Sequence, residues 1–171
     1  RMRGSPSITE HLADVKLYPR WQTCGGLDIL GGPCLGGNVE FYYNFSVRRP
    51  SDDHDRGTIC GDFNAHFFDL WPTHKGQDIV YASVDGTVVW LDSHASAPPS
   101  SMLYDLGPRM CGHPRHPDTK FNQHVHFCVP HSGPFMTIAF GGRFDATNGL
   151  ADSCEQSWGI SDIVLRAFNN N

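Results

Sequence analysis

The sequence predicts an all-β fold: a single jelly-roll-like antiparallel β-sandwich with three disulfides and an extended N-terminal segment. Three observations carry that prediction. The 171 residues include 18 glycines, 12 prolines and only 18% charged side chains, a composition of turns rather than helices. Short runs alternate apolar and polar side chains, the period of a half-buried strand, and no stretch keeps a helical period. Eleven phenylalanines within a 12% aromatic content can fill a core, which separates the chain from disordered ones. At 19.0 kDa the chain is one domain in size. Residues 1–20 read as an N-terminal arm and 21–171 as the sandwich.

Taken in order, the arm lies between the punctuation of Pro6 and Pro19, and Ile8, Leu12, Val15 and Leu17 follow no single period. It reads as an extended segment that docks on something else. From Cys24 to Gly37 there are six glycines, which predict tight turns. A phosphate-cradling loop would end in Gly-Lys-Ser/Thr or open a helix, and this one does neither. Strands are predicted at 39–47 (VEFYYNFSV), 64–71 (NAHFFDLW), 78–84 (DIVYASV), 87–93 (TVVWLDS), 124–129 (HVHFCV), 135–140 (FMTIAF) and 159–168 (GISDIVLRAF). Asp85-Gly86 joins two of these runs and is the strongest hairpin signal in the chain. The polar stretches 48–57, 95–102 and 109–120 read as loops. The total, about eight strands, suits a sandwich or jelly roll.

Charge and hydropathy exclude two classes of partner. The net charge is −5 with a pI near 6.0, and the 13 Lys and Arg are scattered, so no basic stripe is available for nucleic acid. No apolar run is long enough to insert into a membrane as a helix.

Six cysteines, Cys24, Cys34, Cys60, Cys111, Cys128 and Cys154, contain no Cys-x-x-Cys pair. They read as three disulfides, which points to a secreted or cell-surface protein. Several pairings are open. The preferred set is Cys24–Cys34, stapling the Gly-rich turn, Cys111–Cys128, and Cys60–Cys154, tying an early strand to a late one. Asn44-Phe45-Ser46 is the one N-glycosylation sequon, and alternation places Asn44 on the polar face of its strand. Pro98 and Pro99, once hydroxylated, with Ser100 and Ser101 beside them, form a candidate O-glycosylation site. The opening RMRGSPS has no apolar stretch, so the chain reads as mature or as a fragment of something longer.

Candidate chemistry is sparse. His124 and His126 are two apart on a strand and share a face, with His113, His116 and His131 nearby. The carboxylate that a metal-dependent barrel would add at short spacing does not follow them. Asp52, Asp53 and Asp55, and again Asp145 with Asp152, lie in loops that could hold Ca²⁺, though the EF-hand spacing fails. No cofactor is predicted, and a structural Ca²⁺ stays open. There is no Gly-x-Ser-x-Gly elbow and no His-Glu-x-x-His, and no pair of carboxylates is singled out. The expectation is therefore no enzyme. Among the aromatics, Trp71, Trp90, Tyr81, Tyr104 and Trp158 could stack on sugars, most of them being needed for the core.

The run Asp152-Ser153-Cys154-Glu155-Gln156-Ser157-Trp158-Gly159-Ile160-Ser161-Asp162-Ile163 resembles the close of β-sandwich domains in protist extracellular proteins. There an acidic loop leads into Glu-Ser-Trp-Gly-Ile-x-Asp and a last strand. MAM domains and reelin repeats are distantly similar at this point. Ile29-Leu30-Gly31-Gly32, His66-Phe67-Phe68-Asp69-Leu70-Trp71, Val84-Asp85-Gly86 and Met110-Cys111-Gly112 fall in the same order upstream. Two departures remove carboxylates that would hold an ion: Gln156 stands for the usual Glu, and Leu70-Trp71-Pro72 for a Ser-Trp-Asp. The resemblance implies an adhesion or surface-coat module. The resulting expectation is a non-enzymatic, glycosylated extracellular subunit that assembles head-to-tail as a homo-oligomer or filament, with the arm adding a strand to a neighbour. The alternatives are a monomeric carbohydrate-binding or adhesion module, with Ca²⁺ as an optional partner, and a metal enzyme built on His124 and His126.

Overall fold

The computed structural model describes residues 8–11, 21–47, 57–69, 71, 78–93, 110–112, 118, 120–144, 154 and 156–169. The predicted glycan positions Pro98, Pro99, Ser100 and Ser101 lie outside these residues, as do His113, His116, Asp52, Asp53, Asp55, Tyr104, Asp145 and Asp152.

The described residues form ten strands: β1 (Ile8–His11), β2 (Trp21–Cys24), β3 (Leu27–Gly31), β4 (Glu40–Ser46), β5 (Gly57–Asp69), β6 (Ile79–Val84), β7 (Thr87–Asp92), β8 (Lys120–His131), β9 (Phe135–Arg143) and β10 (Gln156–Asn169). They make two antiparallel sheets, so the all-β two-sheet prediction holds. The large sheet runs β2-β3-β10-β5-β8, with β1 also pairing β10, and the small sheet runs β4-β9-β6-β7.

Alternation puts one face of each sheet into a shared core. Phe63, Phe67, Phe127, Trp158, Ile160 and Leu165 come from the large sheet, and Phe41, Tyr43, Val80, Ile138 and Phe140 from the small one. Phe63 meets Phe140 edge-on at 5.2 Å across the interface and Trp90 at 5.4 Å, geometry that adds to simple burial. The β6–β7 hairpin turns on Asp85 and Gly86, both at positive φ (49° and 78°), with Val84 opposite Thr87. That is the primed two-residue turn the Asp-Gly pair predicts.

Several predicted bounds move. The glycine-rich stretch is not turns alone: Trp21–Cys24 and Leu27–Gly31 pair as a short hairpin. β5 starts at Gly57 instead of 64, because its first half is a central strand sandwiched between β10 and β8 and shows little alternation. It ends at Asp69, whose φ of 61° turns the chain before Trp71. The remaining glycines seat a tryptophan. Trp158 donates its backbone N–H to Gly36 O and its indole N–H to Gly37 O, while its carbonyl accepts from Gly32. A Cβ on Gly36 would lie 1.7 Å from Trp158 O, so only glycine fits there.

All six cysteines are in disulfides, but the preferred pairing is wrong at every bond. The bonds are Cys24–Cys111, Cys34–Cys154 and Cys60–Cys128, spanning 87, 120 and 68 residues. Sheet neighbours decide the partners. β5 and β8 place Cys60 directly opposite Cys128, and β3 beside β10 brings Cys34 to the residues leading into β10. Local stapling misjudges this because loop closure grows only slowly with length.

Candidate interaction surface

The outer face of the small sheet is built from residues two apart on each strand. Register aligns them in rows: Glu40, Gly141, Tyr81 and Leu91 in one, Tyr42, Ala139, Ser83 and Val88 in the next, then Asn44 with Thr137, then Ser46 with Phe135. Gly141, Ala139, Ser83 and Thr137 make a low floor between taller side chains, giving an open trough of about 700 Å³. Among the described residues, four of the five large apolar side chains left exposed stand on this face: Tyr42 (65%), Val88 (54%), Leu91 (55%) and Phe135 (71%). A gathering of that kind marks an interaction surface more often than chance exposure.

Tyr81 is fixed within the trough. Its ring lies over Gly141, where a Cβ would come within 2.4 Å of the ring. Its hydroxyl donates to the Glu40 carboxylate, and Arg143 sits 5.9 Å from the ring centre. Burial, followed by the Glu40 carboxylate, pushes the phenol above its ordinary pKa. Asn44 is exposed on the same face, and its side-chain oxygen accepts from the Thr137 hydroxyl at 2.7 Å.

One end of the outer face of the large sheet is covered. Cys24, Ile29 and Phe68 form a second apolar cluster, with Leu27, Cys111 and Phe121 against it. Asp118 is buried at its edge and accepts the backbone N–H groups of Met110, Cys111 and Asp69; burial raises its pKa against those donors. His66 is fully buried. Its Nδ1 accepts the Asn122 N–H at 3.0 Å, which leaves the proton on Nε2, 2.8 Å from the Ser161 hydroxyl. Burial lowers its pKa to about 4, with Asp162 opposing, so the ring is neutral at pH 7.

Further along this face lie His124 and His126, on one side of β8 as predicted. The carboxylate they meet comes from β5: Asp62 is 2.9 Å from His126 and 3.6 Å from His124, and it also pairs with Arg166. Burial alone would raise the Asp62 pKa, but His126 and Arg166 outweigh it and hold it below the usual value. Cys60, His126 and Cys128 crowd together in a way that could ligate a metal, but the two sulfurs are bonded to each other and offer no thiolate. Gln156 donates to the buried Asp78 at 3.1 Å. Its amide thus serves as a donor to a carboxylate.

Of the aromatics predicted as sugar platforms, Trp71 and Trp158 are buried and Trp90 packs against the core; Tyr81 alone of the described ones reaches an outer face. His131 is buried beside Asp85, with Nδ1 2.9 Å from its carboxylate. Sequence reading missed Tyr42, Val88, Leu91 and Arg143. The alternation of EFYYNFS could have placed Glu40 and Tyr42 beside Asn44, but β7 carries a register shift opposite Ala82/Ser83 that hides Val88 and Leu91 on a common face.

The third feature is an edge. β10 pairs β3 only at Gly159 and Ile160, and beyond that point β1 takes over, with Ile8, Thr9, Glu10 and His11 opposite Ala167, Arg166, Leu165 and Val164. The predicted arm thus supplies a strand to the large sheet of its own chain.

No family model matches this chain, and no curated protein matches it. Solved structures do resemble it. Dimeric latent PorU from Porphyromonas gingivalis matches 83% of this chain at 9% identity and a TM-score of 0.48. A family GH115 4-O-methyl-α-glucuronidase with specificity for decorated arabinogalactans matches 99% at 10% identity and 0.42. A ruminal GH26 endo-β-1,4-mannanase matches 100% at 11% identity and 0.41. The chain spans only 11%, 18% and 27% of those three chains.

Proposed function

We propose that this chain is a non-enzymatic extracellular structural subunit that assembles head-to-tail into a surface fibre or coat, each copy lending its N-terminal strand to the next. The pairing of β1 with the β10 edge supports the reading best. The strand is terminal and short, and the same ladder is available to the β1 of a neighbour. An exchange of identical elements therefore costs little contact energy, and one-way lending of β1 from copy to copy gives a head-to-tail series that stays open where the rotation between copies does not close a ring. Three disulfides favour an oxidising compartment. Asp62 pairs with His126 and Arg166, and His66 bonds Ser161, contacts within the fold that fit a role without catalysis. Deleting residues 1–18 and following assembly by size exclusion tests this: loss of oligomers is expected, and unchanged oligomers would overturn it.

A second reading, a carbohydrate-binding or adhesion module, is favoured by the trough of the small sheet. Tyr81, held flat by Gly141 and Glu40 with Arg143 alongside, combines an aromatic ring with charged hydrogen-bonding groups, the pairing that suits a sugar. Titrating neutral oligosaccharides against the protein, with and without a chelator, tests it. Binding that Tyr81→Ala abolishes supports the reading, and silence across a broad panel counts against it.

A further inference from the structure

We propose that the first sugar of an N-linked glycan on Asn44 lies against the ring of Tyr42, so that the bare face of the small sheet is covered by the chain's own carbohydrate. The proposal rests on the extracellular reading above, since the attachment needs a secretory pathway.

Four observations converge. Asn44-Phe45-Ser46 is a sequon, and Asn44 is exposed. Tyr42 precedes it by two residues on β4, so both side chains leave the same face about 7 Å apart. Tyr42 is 65% exposed, an apolar ring face turned to solvent. Finally, the Thr137 hydroxyl holds the Asn44 oxygen, which fixes the amide plane and leaves Nδ2, the atom that carries a glycan, on its other limb. A pyranose has an apolar C–H face that fits an aromatic ring and hydroxyls that can reach polar neighbours. Beyond Tyr42 the trough offers Glu40, Ser83 and Arg143 for later sugars of the same glycan.

The attachment balances without redox chemistry. Asn44 Nδ2 loses one proton and bonds to C1 of a sugar carried on a lipid diphosphate; the C1–O bond breaks, and the lipid diphosphate leaves with that electron pair. Oligosaccharyl transfer acts on the extending chain, before Asn44 enters β4.

The test is a double-mutant cycle in protein secreted, behind a supplied leader, from a glycosylating eukaryotic cell. Four forms are compared by intact mass and thermal unfolding: the unaltered chain, Ser46→Ala, Tyr42→Ala, and both changes together. Ser46→Ala removes the sequon and leaves Asn44 in place. With Tyr42 present, the glycan is expected to raise Tm by about 2–4 °C, the shift that corresponds to a modest stacking contact in a domain of this size. In the Tyr42→Ala background the rise should fall below about 1 °C. Tyr42→Phe, which keeps the ring face, should restore it. An unoccupied Asn44 in the unaltered secreted chain would overturn the proposal, and so would an equal rise in both backgrounds. The result is independent of assembly, because removing residues 1–18 leaves Asn44 and Tyr42 untouched.

Discussion

The two sheets share a core, but they treat their outer faces in opposite ways. The large sheet covers one end of its outer face with a second apolar cluster and a buried histidine, engages the rest in an Asp62 ion-pair network that leaves His124 and His126 exposed, and is tied down by two of the three disulfides. The small sheet leaves Tyr42, Val88, Leu91 and Phe135 in the open around a floor of small residues. A face that stabilises its own domain and a face free for contacts are thus separated by one layer of core. Side-chain changes on the two faces should then weigh differently on stability, and the experiments below either break that division or make it sharper.

The widest contrast should come from truncating one apolar side chain on each outer face. Phe68→Ala opens a cavity in the closed cluster and is expected to cost about 3–5 kcal/mol. Leu91→Ala on the open face should stay within about 0.5 kcal/mol. Urea denaturation of the oxidised proteins measures both, and comparable losses would end the distinction.

Next comes the cross-strand bridge of the large sheet. Replacing both Cys60 and Cys128 by alanine should cost about 2–4 kcal/mol through the freed unfolded chain. The Asp62–His126 contact should survive, because the β5–β8 register holds both residues, and an Asp62 carboxyl that still titrates below the ordinary carboxylate range would report it.

A pH effect of similar size belongs to His66. Its pKa is lowered from 6.5 to about 4 in the folded protein, so the unfolded chain binds the proton first as pH falls. Stability is full above about pH 6.5 and drains away down to about pH 4, by roughly 3 kcal/mol. Asp62, also lowered, keeps its contribution above its unfolded pKa and loses it only at more acid pH. His66→Gln should therefore remove the slope between pH 6.5 and 4 and leave the more acid one. A slope unchanged by that substitution would assign it elsewhere.

A small effect is also expected for the polar contact on the open face. Tyr81→Phe removes the hydroxyl that donates to Glu40 but keeps the ring over Gly141. Partly exposed polar contacts of that kind are worth about 1 kcal/mol or less. Thermal unfolding should show a shift of about 4 °C at most.

Much of this contrast is legible in the sequence, unevenly. Asp85-Gly86 announces its hairpin because primed two-residue turns match the twist of the strands, and Asp and Gly accept the two positive φ values of type I′. EFYYNFS announces β4 because one side faces solvent. The first half of β5 is silent, since a central strand with both faces covered loses its alternation. Disulfide partners were illegible for a related reason: Cys60 finds Cys128 through strand register, which chain distance does not encode. The glycines around Trp158 read as punctuation, while their role is to let one backbone pack directly on that of Trp158 and take its indole N–H. On the open face, alternation alone puts Asn44 on the solvent side of β4, where it stands. Its neighbours Tyr42 and Glu40 needed only the same rule, whereas Val88 and Leu91 needed the bulge.

The N-terminal strand decides between a self-contained domain and a link in a fibre. Thr9 faces Arg166 in the β1–β10 register, so Thr9→Cys with Arg166→Cys would lock the strand to whichever chain it pairs with. Oxidised at high protein concentration and run on a non-reducing denaturing gel, this variant should give a ladder of covalent oligomers that collapses on reduction. A single crosslinked monomer band at every concentration would contradict assembly by strand exchange.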